Sequence, residues 1–252
     1  MISIKNSKEI IYMRESNRIV GLLLQKLESI IKPGMTTFDL NKFAESFIQS
    51  EGGEPAFKGY SVPGLSPFPA AICASVNSVI VHGIPSKKQI LKEGDIIGID
   101  VGVLKNGFYG DAARTYKVGQ ISSVSLELMD VTMEALDRGI TQARDGARVG
   151  DISYAIGSFV QEKGYYVADS LTGHGIGKNL HEEPIIPNFG IQGKGPRLKA
   201  GMTVAIEPMV NVGTNRVIER GWEFFTADGS LSAHFERTIL ITKDKPEILT
   251  VY

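Results

Sequence analysis

Two parts of the chain repeat each other at a nearly constant offset, and this limits the possible folds more than any other feature of the sequence. Pro33-Gly34 leads to Asp39-Leu40, Ser46-Phe47-Ile48-Gln49 and Gly52. At an offset of 112, Asp145-Gly146 leads to Asp151-Ile152, Ser158-Phe159-Val160-Gln161 and Gly164, with six strict identities. A second pair follows at an offset of 107: Lys92-Glu93-Gly94, Ile99-Asp100 and Val103 against Lys199-Ala200-Gly201, Ile206-Glu207 and Val210. Chance likeness between amphipathic helices accounts for the first match alone; two matches in the same order are harder to dismiss. Each copy of the second match carries a carboxylate at the same register, Asp100 or Glu207. Two related half-domains would set these face to face across a pseudo-twofold axis, with a ligand site between them.

Hydrophobic periodicity places the elements. Val20, Leu23, Leu24, Leu27, Ile30 and Ile31 step by three and four, predicting a helix over Ser7–Ile31 that Pro33-Gly34 stops. Thr36 and Asp39 form a capping-box pattern for a second helix, striped by Phe43, Phe47 and Ile48 and closed by Gly52-Gly53. The Gly-, Pro- and aromatic-rich stretch Glu54–Pro69 predicts a loop. Ala71–Ala74, Val79–Val81 and Ile96–Val103 predict strands, Leu126–Ala143 and Ile152–Lys163 helices, and Met202–Ile206 and Thr238–Thr242 further strands. Helices and strands in groups indicate an α+β domain, with helices on one side of a largely antiparallel sheet.

Composition narrows the function. A chain of 252 residues, 42% hydrophobic and 22% charged, can bury a sizeable core as one domain over 1–252. The net charge of -1, with no basic block, argues against nucleic acid as the main partner. Cys73 is the only cysteine, which fits a reducing compartment; its plainest reading is a small buried apolar residue. Met1–Glu9 lacks a signal-type apolar core, and no apolar run nears the ~20 residues of a membrane span. The expectation is a cytoplasmic protein with no membrane partner.

Three of the four histidines lie beside glycine or proline, in contexts that read as tight turns beside strands: Val81-His82-Gly83-Ile84-Pro85, Gly173-His174-Gly175 and Leu180-His181-Glu182-Glu183-Pro184. Glycine there would let backbone approach a ligand. Asp100, at the end of an apolar strand, Asp111, Glu207 and Glu236 all sit in or next to apolar runs. Buried carboxylates are costly unless paired or bound to metal. For a buried ion pair only Arg114 and Arg237 are near in sequence. Four carboxylates and one imidazole suit two divalent ions, and a mixed oxygen and nitrogen set suits Mn, Fe, Co or Zn better than Ca or Mg.

The order Asp100, Asp111, His174, Glu207, Glu236 resembles the metal-ligand series of the methionine aminopeptidases of peptidase family M24. The flanks agree in Val81-His82-Gly83-Ile84-Pro85, Ile99-Asp100-Val101, Gly110-Asp111, Gly173-His174-Gly175-Ile176-Gly177, His181-Glu182-Glu183-Pro184, Glu207-Pro208-Met209 and Glu236-Arg237-Thr238. The likeness runs from about Ile10 to Leu249. With no large insert between His181 and Glu207, the chain resembles the short bacterial type I enzymes. Xaa-Pro aminopeptidases of the same fold usually carry a further N-terminal domain. Four features depart from the family pattern: a longer Tyr60–Phe68 segment, Leu180 for a frequent Phe, His234 for a common Gln, and Arg237 for a common His.

The resemblance implies a pita-bread fold, two pseudo-symmetric half-domains around a central antiparallel sheet. It implies removal of the initiator methionine from nascent polypeptides when the second residue is small and uncharged. Asp100, Asp111, His174, Glu207 and Glu236 would hold two ions, Asp111 and Glu236 bridging, and a water shared between the ions would attack the first peptide carbonyl. Glu207 would relay the proton, His181 would steady the oxyanion and His82 would position the substrate amide. Tyr60, Phe68, Cys73 and Trp222 are candidates for the methionine pocket, Trp222 being equally readable as a structural aromatic. The implied partners are nascent-chain N-termini, with ribosome contact following only from the substrate; the family default is a monomer. The rival readings are a proline-specific peptidase of the same fold and a non-catalytic binding relative.

Overall fold

Each sequence repeat becomes a pair of helices laid on an antiparallel ladder in the computed structural model, which describes residues 2–252. Helix α1 (Ser7–Ile30) and α2 (Thr37–Ser50) open the chain, followed by β1 (Glu54–Pro55), β2 (Ile72–Val76), β3 (Val79–Val81), β4 (Ile96–Lys105) and β5 (Phe108–Lys117). Helices α3 (Ser123–Gln142) and α4 (Val149–Glu162) open the second half, with β6 (Tyr166–Val167), β7 (Thr172–Gly175), β8 (Glu182–Pro187), β9 (Thr203–Ile206) and β10 (Met209–Asn211) behind them. The chain closes with β11 (Val217–Arg220), β12 (Glu223–Thr226), β13 (Ser232–His234), β14 (Arg237–Leu240) and β15 (Glu247–Ile248).

The two halves match in backbone as well as sequence. Helices α2 and α4 each have 14 residues. Gly34 and Gly146 turn at φ of 89° and 85°, Gly52 and Gly164 at 70° and 80°, and Gly94 and Gly201 at 91° and 90°. Only glycine adopts such left-handed angles cheaply, which is why these residues recur in both copies. Thr36 pairs with Ile90 in one half, and Arg148 pairs with Arg197 at the same offsets in the other. The caps differ: Thr36 and Asp39 close a reciprocal box, whereas Arg148 has no acceptor and only Asp151 returns, to the Arg148 N–H at 2.8 Å.

The central antiparallel layer is assembled from two main ladders. β4 pairs with β1 and β2 along one edge and with β5 along the other. The second ladder runs β15-β14-β9-β7-β8. They meet where the Glu236 N–H donates to the Ala113 carbonyl at 2.8 Å and the Thr238 hydroxyl to the Asp111 carbonyl at 2.7 Å. Strand alternation then sorts the faces. Ile97, Ile99, Val101 and Val103 of β4 pack with Leu23, Leu24, Leu27 and Leu40 of the first helix pair. Val204, Ile206 and Ile239 pack with Leu128, Leu136, Ile152 and Phe159 of the second. Asp100, Asp111, Glu207 and Glu236 have the opposite parity, so they turn inward between the halves.

One strand was missed and two expectations need correction. β5 reads poorly as a strand because Gly110, Asp111, Arg114 and Lys117 interrupt it; complete pairing with β4, from Ile96↔Lys117 to Lys105↔Phe108, makes it one. That same pairing carries β4 on to Lys105, so Asp100 sits mid-strand and not at a strand end. The segment around His174 is a strand, β7, not a turn, because β8 and β9 pair with it on both sides. Among the described residues no helix is long and apolar enough to cross a membrane.

Candidate metal centre

Ladder register brings the carboxylates together. Asp111 lies opposite Gly102, two positions from Asp100, so both side chains share the inner face. Arg237 lies opposite Ile206, so the next step of the same register sets Glu236 against Glu207. His174 lies opposite Ala205, two positions from Glu207. The glycines flanking His174 serve this packing: a Cβ at Gly173 would lie 2.4 Å from the Ala205 carbonyl oxygen, and one at Gly175 2.3 Å from that of Glu183. They let neighbouring strands close in, where the sequence suggested the approach of a ligand. The Asn188 side chain also pins the Glu207 carbonyl at 3.0 Å.

The protonation of His174 is settled by its neighbour. Its Nδ1 lies 2.8 Å from the Gly175 carbonyl, which can only accept, so Nδ1 carries the proton. The Nε2 lone pair therefore faces Glu207 Oε1 at 3.6 Å and Asp111 Oδ2 at 4.0 Å. A lone pair aimed at carboxylates is repulsive unless a cation stands between them. Buried Oδ1 of Asp100, Oδ1 of Asp111 and Oε1 of Glu236 likewise have no hydrogen-bond partner. Donor atoms of Asp111, His174 and Glu236 lie within 4.8 Å of one another, as do those of Glu207, His234 and Glu236. The two sets share Glu236; Asp100 belongs to neither but lines the same cleft. The donor set thus fits divalent metal.

Electrostatics agree. Burial pushes Asp100 up to about 7 and Glu207 up to about 8. Burial, with the neighbouring carboxylates, lifts Asp111 and Glu236 well above the usual range. Burial presses His174 down to about 3 and His82 and His234 down to about 4, so these imidazoles are neutral at physiological pH. The two arginines near in sequence give no relief. Arg114 forks onto Glu28 at 2.7 and 2.9 Å, and the Arg237 guanidinium stacks 4.6 Å from the Tyr252 ring centre. The buried ion-pair alternative therefore fails.

A cleft opens over the carboxylates, lined by every site residue expected from sequence, with Phe57 and Leu180 in addition. The Tyr60 hydroxyl lies 2.8 Å from His181 Nδ1. Tyr60 is thus more than an apolar wall: it orients an imidazole. The Trp222 indole N–H donates to the Ser66 carbonyl at 2.8 Å, and its ring meets Phe68 edge-on at 5.4 Å. This ties the Tyr60–Phe68 loop down, and Trp222 lines the cleft as well. Cys73 is both buried and cleft-lining, opposite Asp100 in the ladder; burial and the carboxylates keep its thiol protonated. His82 stands at φ 59° with a buried, unpartnered Nδ1. His234 entered the sequence reading only as a departure, although its place two residues before Glu236 in an extended run signals a shared face.

Three comparisons bear on this geometry. The methionine aminopeptidase of Clostridium acetobutylicum is 49% identical, over 100% of this chain and 99% of that protein. The crystal structure of methionine aminopeptidase from Rickettsia prowazekii superposes with a TM-score of 0.96 at 42% identity, covering 100% of both chains. Prolidase from Pyrococcus furiosus superposes at 0.80 with 25% identity, but this chain covers only 65% of it. Residues 11–243 match the description Metallopeptidase family M24. With the inward-facing carboxylates, the fixed tautomer of His174 and near-identical architecture in agreement, the chain belongs to metallopeptidase family M24.

Proposed function

We propose that this protein is a two-metal aminopeptidase that removes the initiator methionine from nascent chains with a small second residue, as a cytoplasmic monomer acting at the ribosome. The observation that carries this reading is the His174 lone pair held against buried, unpartnered carboxylates. Asp100, Asp111, His174, Glu207 and Glu236 would hold two ions of Mn, Fe, Co or Zn. When bound, such ions supply Lewis-acid chemistry, polarising a carbonyl and lowering the pKa of a water from about 15.7 towards 7.

The chain's own residues do the rest. Glu207, which lines the cleft beside His174, takes a proton from the attacking water on a carboxylate oxygen and passes it to the leaving amine. Burial lowers the pKa of His181 and raises that of the Tyr60 phenol. With both groups neutral, the tautomer of His181 that accepts the Tyr60 O–H hydrogen bond at Nδ1 is the one that carries Nε2–H to meet the developing oxyanion. His82 offers its free Nδ1 edge to the substrate amide. The aromatic and thiol wall of Phe57, Phe68, Cys73 and Trp222 excludes water and receives an unbranched apolar side chain. A free N-terminal amine suits the carboxylate floor, and an internal peptide segment has none, which makes the enzyme an exopeptidase.

The test is release of methionine from Met-Ala-Ser and Met-Leu-Ser by metal-stripped protein resupplied with Mn, Co, Fe or Zn. Metal-dependent cleavage of the first alone is expected. Cleavage of Xaa-Pro peptides instead, or none despite bound metal, would refute the assignment.

A further inference from the structure

His234 is an imidazole in the wall of this centre that the ligand set above leaves unused. It is only 4% exposed, and its Nε2 is buried without a hydrogen-bond partner. Its backbone is held on both sides by Thr115, whose hydroxyl donates to the His234 carbonyl at 2.8 Å and accepts from its N–H at 2.9 Å. The ring is therefore carried on a fixed strand end, and alternation from β13 puts it on the side of Glu236.

The distances define its role. His234 Nε2 lies 3.5 Å from Glu207 Oε2, while His174 Nε2 lies 3.6 Å from Glu207 Oε1. A hydrogen bond between such groups would measure about 2.7–3.2 Å. Two donors on one ion, with bonds of about 2.0–2.2 Å at tetrahedral angles, stand about 3.4 Å apart. Both imidazoles are thus at ligand spacing from opposite oxygens of one carboxylate. His234, Glu207 and Glu236 also converge within 4.8 Å, apart from the Asp111, His174 and Glu236 set.

We propose that His234 supplies a nitrogen ligand to the second ion, so that each ion of the pair has one imidazole. The inference rests on the two-ion reading above. A nitrogen donor at both positions biases the whole centre towards Zn, Co or Fe and away from Mg.

Metal-free protein loaded with zinc would be read by metal analysis and X-ray absorption, in which outer-shell scattering counts imidazole ligands. The wild type is expected to bind two zinc ions with two imidazoles per pair. His234→Gln is expected to lose one imidazole and weaken the second ion roughly tenfold or more. Two ions with a single imidazole in the wild type, or an unchanged count in His234→Gln, would overturn the role of His234 and leave the two-ion reading standing. Fewer than two ions in the wild type would overturn both. The wild-type count decides the matter even if the variant fails to fold.

Discussion

Stripping the metal should make this protein less stable as pH rises through neutrality. Folded Asp100 and Glu207 titrate near 7 and 8, against ordinary values of 3.8 and 4.5. A carboxylate whose folded pKa is raised contributes its full stability below the ordinary value and loses it as pH climbs to the folded one. His82, His174 and His234 oppose this at lower pH: with folded values near 4, 3 and 4 against 6.5, they add stability as pH rises, but mainly up to 6.5. The interval from pH 6.5 to 8 therefore belongs mainly to the carboxylates, the unfolded imidazoles opposing them there by only about 1 kcal/mol in all. Glu207 acts across all of it and Asp100 across its first third. At about 1.4 kcal/mol per proton per pH unit the loss is about 3 kcal/mol. Asp111 and Glu236 add to it with the same sign. For a chain of this size 1 kcal/mol moves Tm by about 2–4 °C, so the fall is roughly 6–12 °C. Calorimetry of metal-stripped protein at pH 6.5 and 8.0, at one ionic strength, measures it. Saturating Mn should abolish the fall by pairing the carboxylates, and Glu207→Gln should reduce it. A metal-free Tm that stays flat or rises over this interval would refute the reasoning.

Three further outcomes follow from named contacts. Tyr60→Phe removes the hydroxyl that orients His181 and should lower kcat about 3- to 10-fold, the worth of one hydrogen bond, with metal stoichiometry unchanged; steady-state kinetics and metal analysis check it. Gly173→Ala drives a methyl to 2.4 Å from the Ala205 carbonyl oxygen, displacing β7 and His174. It should cost about 1–3 kcal/mol in denaturant titration and weaken metal binding, and unchanged calorimetric affinity would contradict this account of the flanking glycines. Lys5 and Glu182 form a buried pair at 2.8 Å beside His181, with side chains only 3% and 10% exposed. Lys5→Met leaves the Glu182 carboxylate without its cation and with only the Asn179 N–H, at 3.1 Å, as donor; it should destabilise by about 3 kcal/mol in urea unfolding, and a loss below measurement error would refute a stabilising role for the pair.

The amino-acid sequence by itself determined the plan of this protein. Helix periods, glycine stops and the doubled Asp/Glu register are local or short-range, and they specified two helix pairs and two matched strands that each carry a carboxylate; the five expected ligands came from the resemblance to a known family. The parity of Asp100 within Ile97, Ile99 and Val101 already implied that it faces away from the helices. Only tertiary structure decided the rest. β5 exists because β4 pairs with all of it, despite a composition that argues against a strand. The glycines around His174 make room for Ala205 and Glu183, residues distant in sequence. The tautomer of His174 depends on one backbone carbonyl, and the orientation of His181 depends on Tyr60, 121 positions away. His234 looked like a single departure from a pattern until folding set it against Glu207. Propensity and periodicity act along the chain; hydrogen-bond direction, burial and ligand spacing arise only when the two halves close on each other.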